Sequence, residues 1–258
     1  MPRSIVEARV LLHHPFLALP LLVAIVLGTR PVHADHDSPS PAAPRGAAPG
    51  APASARAVPA APAPDAPDVA VAAVQAFYDK STTFKSEFQQ RFWVRAYNQE
   101  KTSHGRVTFV KPGKMDWQYD DPRDNRVVSD GLLIKVYEAG NKQMYEQPVD
   151  RSQYPAALAF LTGTGKLADA FDFEVFSGDQ MKFQGGYVLV GTPKQPTPSY
   201  AKVLFYVDSA TSQVRRVMII DGQGNRNRFD FVNPRVNDPV PAKQFQFTPP
   251  VGTSIIRP

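Results

Sequence analysis

Few residues in this chain could do chemistry. Beyond residue 36 the only histidine is His104, which stands in a polar stretch and reads as a solvated loop residue. A serine nucleophile needs a base and a strained elbow. No Gly-x-Ser-x-Gly occurs anywhere, so acyl-transfer catalysis has no constellation to work with. Gly163-Thr164-Gly165-Lys166 looks like part of a phosphate loop. Leu167 replaces the required Ser or Thr and the upstream glycine is missing, so the segment reads as a break between helices. Asp120, Asp121, Asp124 and Asn125 lack calcium-loop spacing, and Pro122 makes them a turn. With no cysteine, iron–sulfur clusters, cysteine-rich zinc sites, thiol catalysis and lipidation through an N-terminal cysteine are excluded by chemistry. No cofactor or metal is expected, and no enzyme activity.

What the sequence does hold is a surplus of large apolar side chains. Phe84, Phe88, Phe92, Met115, Trp117, Tyr119, Phe173, Val203, Phe205, Val217 and Ile219 all fall on strand-like segments. Pattern alone leaves two readings open, an ordinary core or a cavity for an apolar ligand.

The elements that must position these residues follow from the 258-residue sequence. Arg3 and Arg9 precede an apolar run from Phe16 to Leu27 and the small-residue site Val32-His33-Ala34, the pattern of a secretory signal. The run holds Pro20 and is shorter than the roughly 20 residues that cross a membrane as a helix. Residues 1–34 are therefore expected to be a signal peptide cleaved after Ala34. Residues 35–67 hold nine prolines and twelve alanines, with too little branched apolar surface to offset the entropy of ordering, and read as an extended linker. Residues 68–258 form the domain. Five of the 29 lysines and arginines and four of the 24 acids precede Asp68, which leaves the domain at +4. Its basic residues are scattered among acids, so no nucleic-acid partner is expected.

Within the domain, Asp68 is a candidate cap for a helix carrying Val71, Val74, Phe77 and Tyr78. From Phe84 to Ala96 the period becomes two, with Phe84, Ser86, Phe88, Gln90 and Phe92 on one side and Lys85, Glu87, Gln89 and Arg91 on the other. Strands are then expected at residues 106–111, 114–119, 126–129, 132–138 and 142–147, joined by Pro-Gly, Asp-Pro, Asp-Gly and Gly-Asn turns that require antiparallel neighbours. A helical insertion follows, with Ser152 as its cap, Pro155, Leu158, Phe160 and Leu161 on its first helix, and a second short helix over 166–170. Strands resume at 173–176, 181–190, 200–208, 213–221 and 226–232, and 242–247 closes the set. Arg215 and Arg216 point to opposite faces, and Arg226 with Arg228 to one, which reads as a solvated outer face. The fold class is α+β: about eleven strands in one large curved antiparallel sheet, with three helices as the only cover for its dry face.

Four segments resemble a known family. They are Phe109-Val110-Lys111-Pro112-Gly113-Lys114-Met115-Asp116-Trp117, Val128-Ser129-Asp130-Gly131, Tyr154-Pro155, and Phe245-Gln246-Phe247-Thr248-Pro249-Pro250-Val251-Gly252. Together the chain resembles the outer-membrane lipoprotein carrier protein family (LolA type) over residues 68–258. The resemblance implies an unclosed antiparallel barrel with a helical lid and a hydrophobic cavity in the periplasm of a Gram-negative bacterium. It implies acylated lipoproteins as cargo, an inner-membrane ABC-type release complex as donor and an outer-membrane receptor lipoprotein as acceptor. The protein is expected to act as a monomer. Phe88, Phe92, Trp117, Leu158, Leu161 and Phe205 are the expected cargo-cavity residues. Lys111, Pro112 and Met115 are the expected lid rim and docking residues. Lys111 stands where the family has an arginine that contacts the lid, and Met115 where it often has a docking aromatic. A lysine lacks the planar fork for several simultaneous carbonyl contacts. The absence of cysteine separates the chain from the lipidated receptor. Rival readings of the same half-barrel are a regulator that senses lipids or lipoproteins, expected to carry a second domain, and a carrier of glycolipids or free lipids. N-terminal sequencing of the exported protein is expected to begin near Asp35; an intact Met1 in the membrane fraction would contradict cleavage.

Overall fold

The computed structural model describes residues 64, 66–149 and 158–257. The expected signal peptide, nearly all of the linker, and Ser152, Tyr154 and Pro155 lie outside the described residues. Helix α1 (Pro67–Asp79) leads into β1 (Thr83–Val94), a short 3-10 turn (Arg95–Tyr97), β2 (Gln99–Val110), β3 (Lys114–Asp121), β4 (Arg126–Asp130), β5 (Leu133–Glu138) and β6 (Gln143–Pro148). Two one-turn helices, α2 (Ala159–Thr162) and α3 (Leu167–Ala170), precede β7 (Phe171–Ser177), β8 (Gly186–Pro193), β9 (Lys202–Asp208), β10 (Val214–Ile220) and β11 (Arg226–Val236). A second 3-10 turn (Ala242–Phe245) and β12 (Ser254–Ile256) end the chain.

All the strands belong to one sheet in the order β12-β6-β5-β4-β3-β2-β1-β11-β10-β9-β8-β7. Its two ends, β12 and β7, do not pair, so the sheet is an unclosed barrel, as expected. Every pairing is antiparallel except that of β12, which runs parallel to β6. β1 and β11 join the two halves at the centre, with Phe88 opposite Phe231 and Gln90 opposite Phe229. The alternation expected for β1 is present: Phe84, Ser86, Phe88 and Gln90 are buried, while Glu87, Gln89 and Arg91 are exposed.

Along the inner face, aromatic side chains meet across neighbouring strands. Phe88 lies edge-on to Trp117 at 4.9 Å and to Tyr119 at 5.1 Å. Trp117 also meets Phe109 at 5.7 Å and Phe229 at 5.3 Å. Such contacts add to the burial of the rings themselves. The meeting of Phe88 with Tyr119 depends on Gly105, which pairs with both residues. A Cβ there would lie 2.0 Å from the backbone oxygen of Gln118, so only glycine lets β2 and β3 approach.

The outer face differs from expectation in three ways. First, 242–247 is not a strand. Its 3-10 turn and the residues after it form a strap across the outer face of β2–β5. There Asp116, 1% exposed, accepts two bonds from Arg126 (2.8 and 3.1 Å) and one each from Gln118 and Gln244. Arg126 also donates to the Gln244 carbonyl and stacks on Phe247, whose ring meets Tyr137 at 5.5 Å. Second, residues 181–185 belong to a turn rather than to β8. That turn brings Phe183 over Tyr206 on the outer face, beside Val188, Val190 and Leu204. This patch is dry, not solvated, and Arg215 and Arg216 lie over the Phe183 ring. Third, His104 lies within β2 opposite Gln89, not in a loop.

Gly105→Ala is expected to lower stability by about 3 kcal/mol, because the new methyl group meets backbone rather than a side chain that could turn aside. Denaturant unfolding of the two proteins checks this; an unchanged midpoint would contradict the close approach of β2 and β3.

Candidate functional site

The inner face is covered by the three helices. Pro67 opens α1 at a position where its fixed φ suits the helix and its missing N–H costs nothing. Ala66, not Asp68, is the cap residue, and Asp68 lies in the first turn. The buried stripe is Ala70, Val71, Val74 and Tyr78, and α1 packs on β7, β8, α2 and α3. The Tyr78 ring meets Phe160 of α2 edge-on at 4.7 Å, and Phe160 meets Phe205 of β9 at 5.7 Å. The Tyr78 hydroxyl accepts the Val214 N–H at 3.1 Å, which ties the end of α1 to β10. Burial raises the pKa of that phenol, and the Val214 bond partly opposes it. The Gln75 side chain accepts the Leu167 N–H at 3.0 Å, linking α1 to α3.

A helix ends with carbonyls that lack intrahelical partners. Here the turn between β2 and β3 supplies donors to two helix ends. The Lys111 ammonium donates to the Tyr78 carbonyl at the end of α1, where a cation also meets the negative end of the helix. Two residues on, the Gly113 N–H donates to the Thr162 carbonyl at the end of α2 (2.9 Å). The Lys111 stem lies against Gly163, whose φ of 70° ends α2. Burial lowers the Lys111 pKa from its usual range, and Asp79 nearby partly offsets that.

Next to this rim is the β4–β5 turn. Asp130 accepts the N–H groups of Leu132 and Leu133 at 2.8 and 2.9 Å, and Ser129 accepts that of Gly131. Burial alone would raise the Asp130 pKa, but the amides of Leu133 and Leu132 and the charge of Lys135 hold it below the usual carboxylate value. A Cβ on Gly113 would lie 3.2 Å from the Gly131 Cα, so the two turns touch through glycine. The Lys-Pro-Gly and Val-Ser-Asp-Gly segments thus form one rim with the end of α2.

Of the six expected cavity residues, Phe88, Trp117, Leu158, Leu161 and Phe205 are buried in one inner cluster. Phe92 lies on the same face of β1, half-buried and outside that cluster. At the rim, Lys111 contacts both α1 and α2, Pro112 is exposed, and Met115 is buried within the inner cluster. Sequence reasoning did not assign Tyr78, Phe160, Gly113 or Gly163 to the site. The left-handed Gly163, noticed only as a helix break, was the available signal. Nor did it foresee a polar group on the inner face, where Tyr119 donates to Gln90 at 3.2 Å and Gln90 to Asn227 at 2.9 Å.

These features define an open, curled sheet with an aromatic inner face under short helices fastened at one rim. The chain belongs to the outer membrane lipoprotein carrier protein LolA family, whose model matches residues 79–248. An outer-membrane lipoprotein carrier protein of Ralstonia nicotianae is 28% identical over 192 residues, 72% of this chain and 86% of that one. One from Nitrosospira multiformis is 25% identical over 188 residues, 72% of this chain and 87% of that one. A crystal structure of a LolA superfamily protein from Nitrosomonas europaea has a TM-score of 0.41 and 12% identity, covering 70% of this chain and 97% of that chain. Among the described residues, no helix is long and apolar enough to cross a membrane.

Gly163→Ala is expected to loosen this rim. The left-handed backbone costs an L-residue about 1–2 kcal/mol, and the new Cβ would lie 2.8 Å from the Lys111 Cδ. Hydrogen exchange at the Gly113 amide should quicken in the variant. Unchanged exchange would show that the end of α2 does not depend on this contact.

Proposed function

We propose that this protein is a periplasmic carrier that holds the acyl chains of lipoproteins against the inner face of its sheet, beneath the helices. It takes them from an inner-membrane ABC-type release complex, acts as a monomer, and delivers them to an outer-membrane receptor lipoprotein. Family membership supports the carrier reading. The observation that carries it is the contrast between a large aromatic inner face and the few polar bonds that fasten its cover at the rim.

Magnitudes show why such a cover suits the task. An acyl chain of roughly 16 carbons gains on the order of 12 kcal/mol by leaving water. Release into solvent is therefore too slow to serve transport, and cargo must pass directly from one apolar site to the next. A bond such as that of Lys111 is worth about 1.5–3 kcal/mol, and one such as that of Gly113 about 1 kcal/mol. Their sum is well below the gain of one chain, so incoming cargo has enough free energy to break these two bonds, and its acyl chains replace the apolar contacts that the helices give up. The polar rim gives the emptied carrier a closed state to return to. A chain of this family used as a sensor or glycolipid carrier would share the interior but would not deliver lipoproteins.

Lys111→Leu is expected to load cargo and fail in handover, because an apolar rim keeps its grip on the chain without restoring the Tyr78 bond. Lys111→Arg should transfer at least as well as the parent, since the guanidinium keeps the charge and adds donors. The assay is transfer of radiolabelled lipoprotein from loaded carrier to receptor-bearing outer membranes, with thermal melting to confirm that each variant folds. Equal transfer by the leucine variant and the parent would remove Lys111 from the handover step.

A further inference from the structure

Among the described residues, two buried side-chain polar atoms of the inner cluster lack a hydrogen-bond partner, the Tyr187 hydroxyl at the edge of the sheet half formed by β7–β10 and the Trp117 indole Nε1, and the second is the more deeply buried. Trp117 is fully buried in the middle of β3, and its indole Nε1 has no hydrogen-bond partner. Its ring neighbours Phe88, Phe109 and Phe229 offer no oxygen or nitrogen to accept the proton. Two residues along the same strand, Tyr119 is also buried but satisfied, through Gln90 and then Asn227. The polar group beside Trp117 therefore completes itself, and the indole N–H stands apart from it. A buried donor left unpaired is destabilising, and phenylalanine would fill an apolar site without that cost.

We propose that Trp117 donates its indole N–H to the carbonyl oxygen of a bound acyl group, the ester or amide oxygen that joins a fatty chain to its carrier molecule. This deepens the carrier reading and rests on it, because it names the atom by which the inner face recognises cargo. Hydrocarbon alone has no acceptor, so a wholly apolar site would hold an alkane and an acyl ester through the same contacts. A site with a single donor in dry surroundings distinguishes them, since a hydrogen bond is strengthened where water is excluded. Trp117 lies two residues along β3 from Tyr119, whose hydroxyl joins Gln90 and Asn227, and its ring meets Phe109, which in turn meets Phe84. A chain held this way places its carbonyl beside the polar group and its tail against the rings.

The test compares methyl laurate with dodecane as ligands, with binding read by displacement of an apolar fluorescent dye. The chain has two tryptophans, and Trp93 lies on the opposite side of β1 from Phe92, bonded to Asn98 and stacked on Arg226. In Trp93→Phe, Trp117 is the only indole and reports directly. The ester should shift its emission to the red and the alkane should not. Adding Trp117→Phe should cut the affinity for methyl laurate roughly tenfold and leave that for dodecane nearly unchanged. Trp117→3-benzothienylalanine keeps the ring shape and removes only the N–H, so it separates the hydrogen bond from packing and should reproduce the effect. Equal losses for ester and alkane, or no loss for either, would overturn the proposal and leave the carrier reading standing. Failure of the parent to bind either ligand would overturn both.

Discussion

The last carbonyls of α1 and α2 need donors, and the β2–β3 turn reaches across from the sheet to provide one to each helix end. These two bonds join the cover of the inner face to the sheet, while Ser81 serves the end of α1 and the N–H groups of Gly163 and Thr164 serve the earlier carbonyls of α2. Lys111 reaches the Tyr78 carbonyl and Gly113 the Thr162 carbonyl. Two donors set two residues apart thus hold two helices. The glycines nearby follow from this constraint. Gly163 leaves room for the lysine stem, and Gly113 and Gly131 let the two turns touch. A bulky side chain at any of the three would push the rim away from the helices it fastens.

The two faces of the sheet are secured differently. Outside, Asp116 gathers Arg126, Gln118 and Gln244 into one buried group that holds the C-terminal strap against β2–β5, while Phe183 and its neighbours cover the other half. Removing one partner of a buried ion pair costs about 3–5 kcal/mol. Inside, the helices rely on apolar contact and a handful of bonds near the rim. Apolar contact is non-directional and can be re-formed with an acyl chain, whereas the buried ion pair outside has no such substitute, so this asymmetry suits a fixed frame with a movable cover.

Much of the fold was legible because burial on one face leaves a period of two. The alternation in β1 followed from that rule, and the turns between β3 and β6 and the break at Gly163 from their glycine, proline and aspartate residues. The misses have physical causes. His104 and the residues before it looked like a loop because the first half of β2 extends past β3, with little core beneath it to demand apolar side chains. Residues 242–247 looked like a strand because Phe245 and Phe247 alternate with polar residues. Pro239, Pro241, Pro249 and Pro250 remove the backbone donors a central strand needs, so the segment is held by side chains instead. The apolar outer patch depends on which turn folds over it, and no local pattern shows that. At the site, the inner aromatics were readable from alternation and Lys111 from the family likeness. The Tyr78 and Gly113 bonds arise from contacts distant in sequence and were not.

Photocrosslinking from neighbouring residues of β1 tests the central claim most directly. Phe92 faces inward and Arg91 outward, so benzoylphenylalanine placed at each samples opposite faces of the same strand. With a triacylated lipoprotein loaded and the sample irradiated, mass spectrometry of the digest should find acyl chain joined to position 92 and none at position 91. Crosslinks from both positions equally, or from position 91 alone, would contradict an acyl site on the inner face.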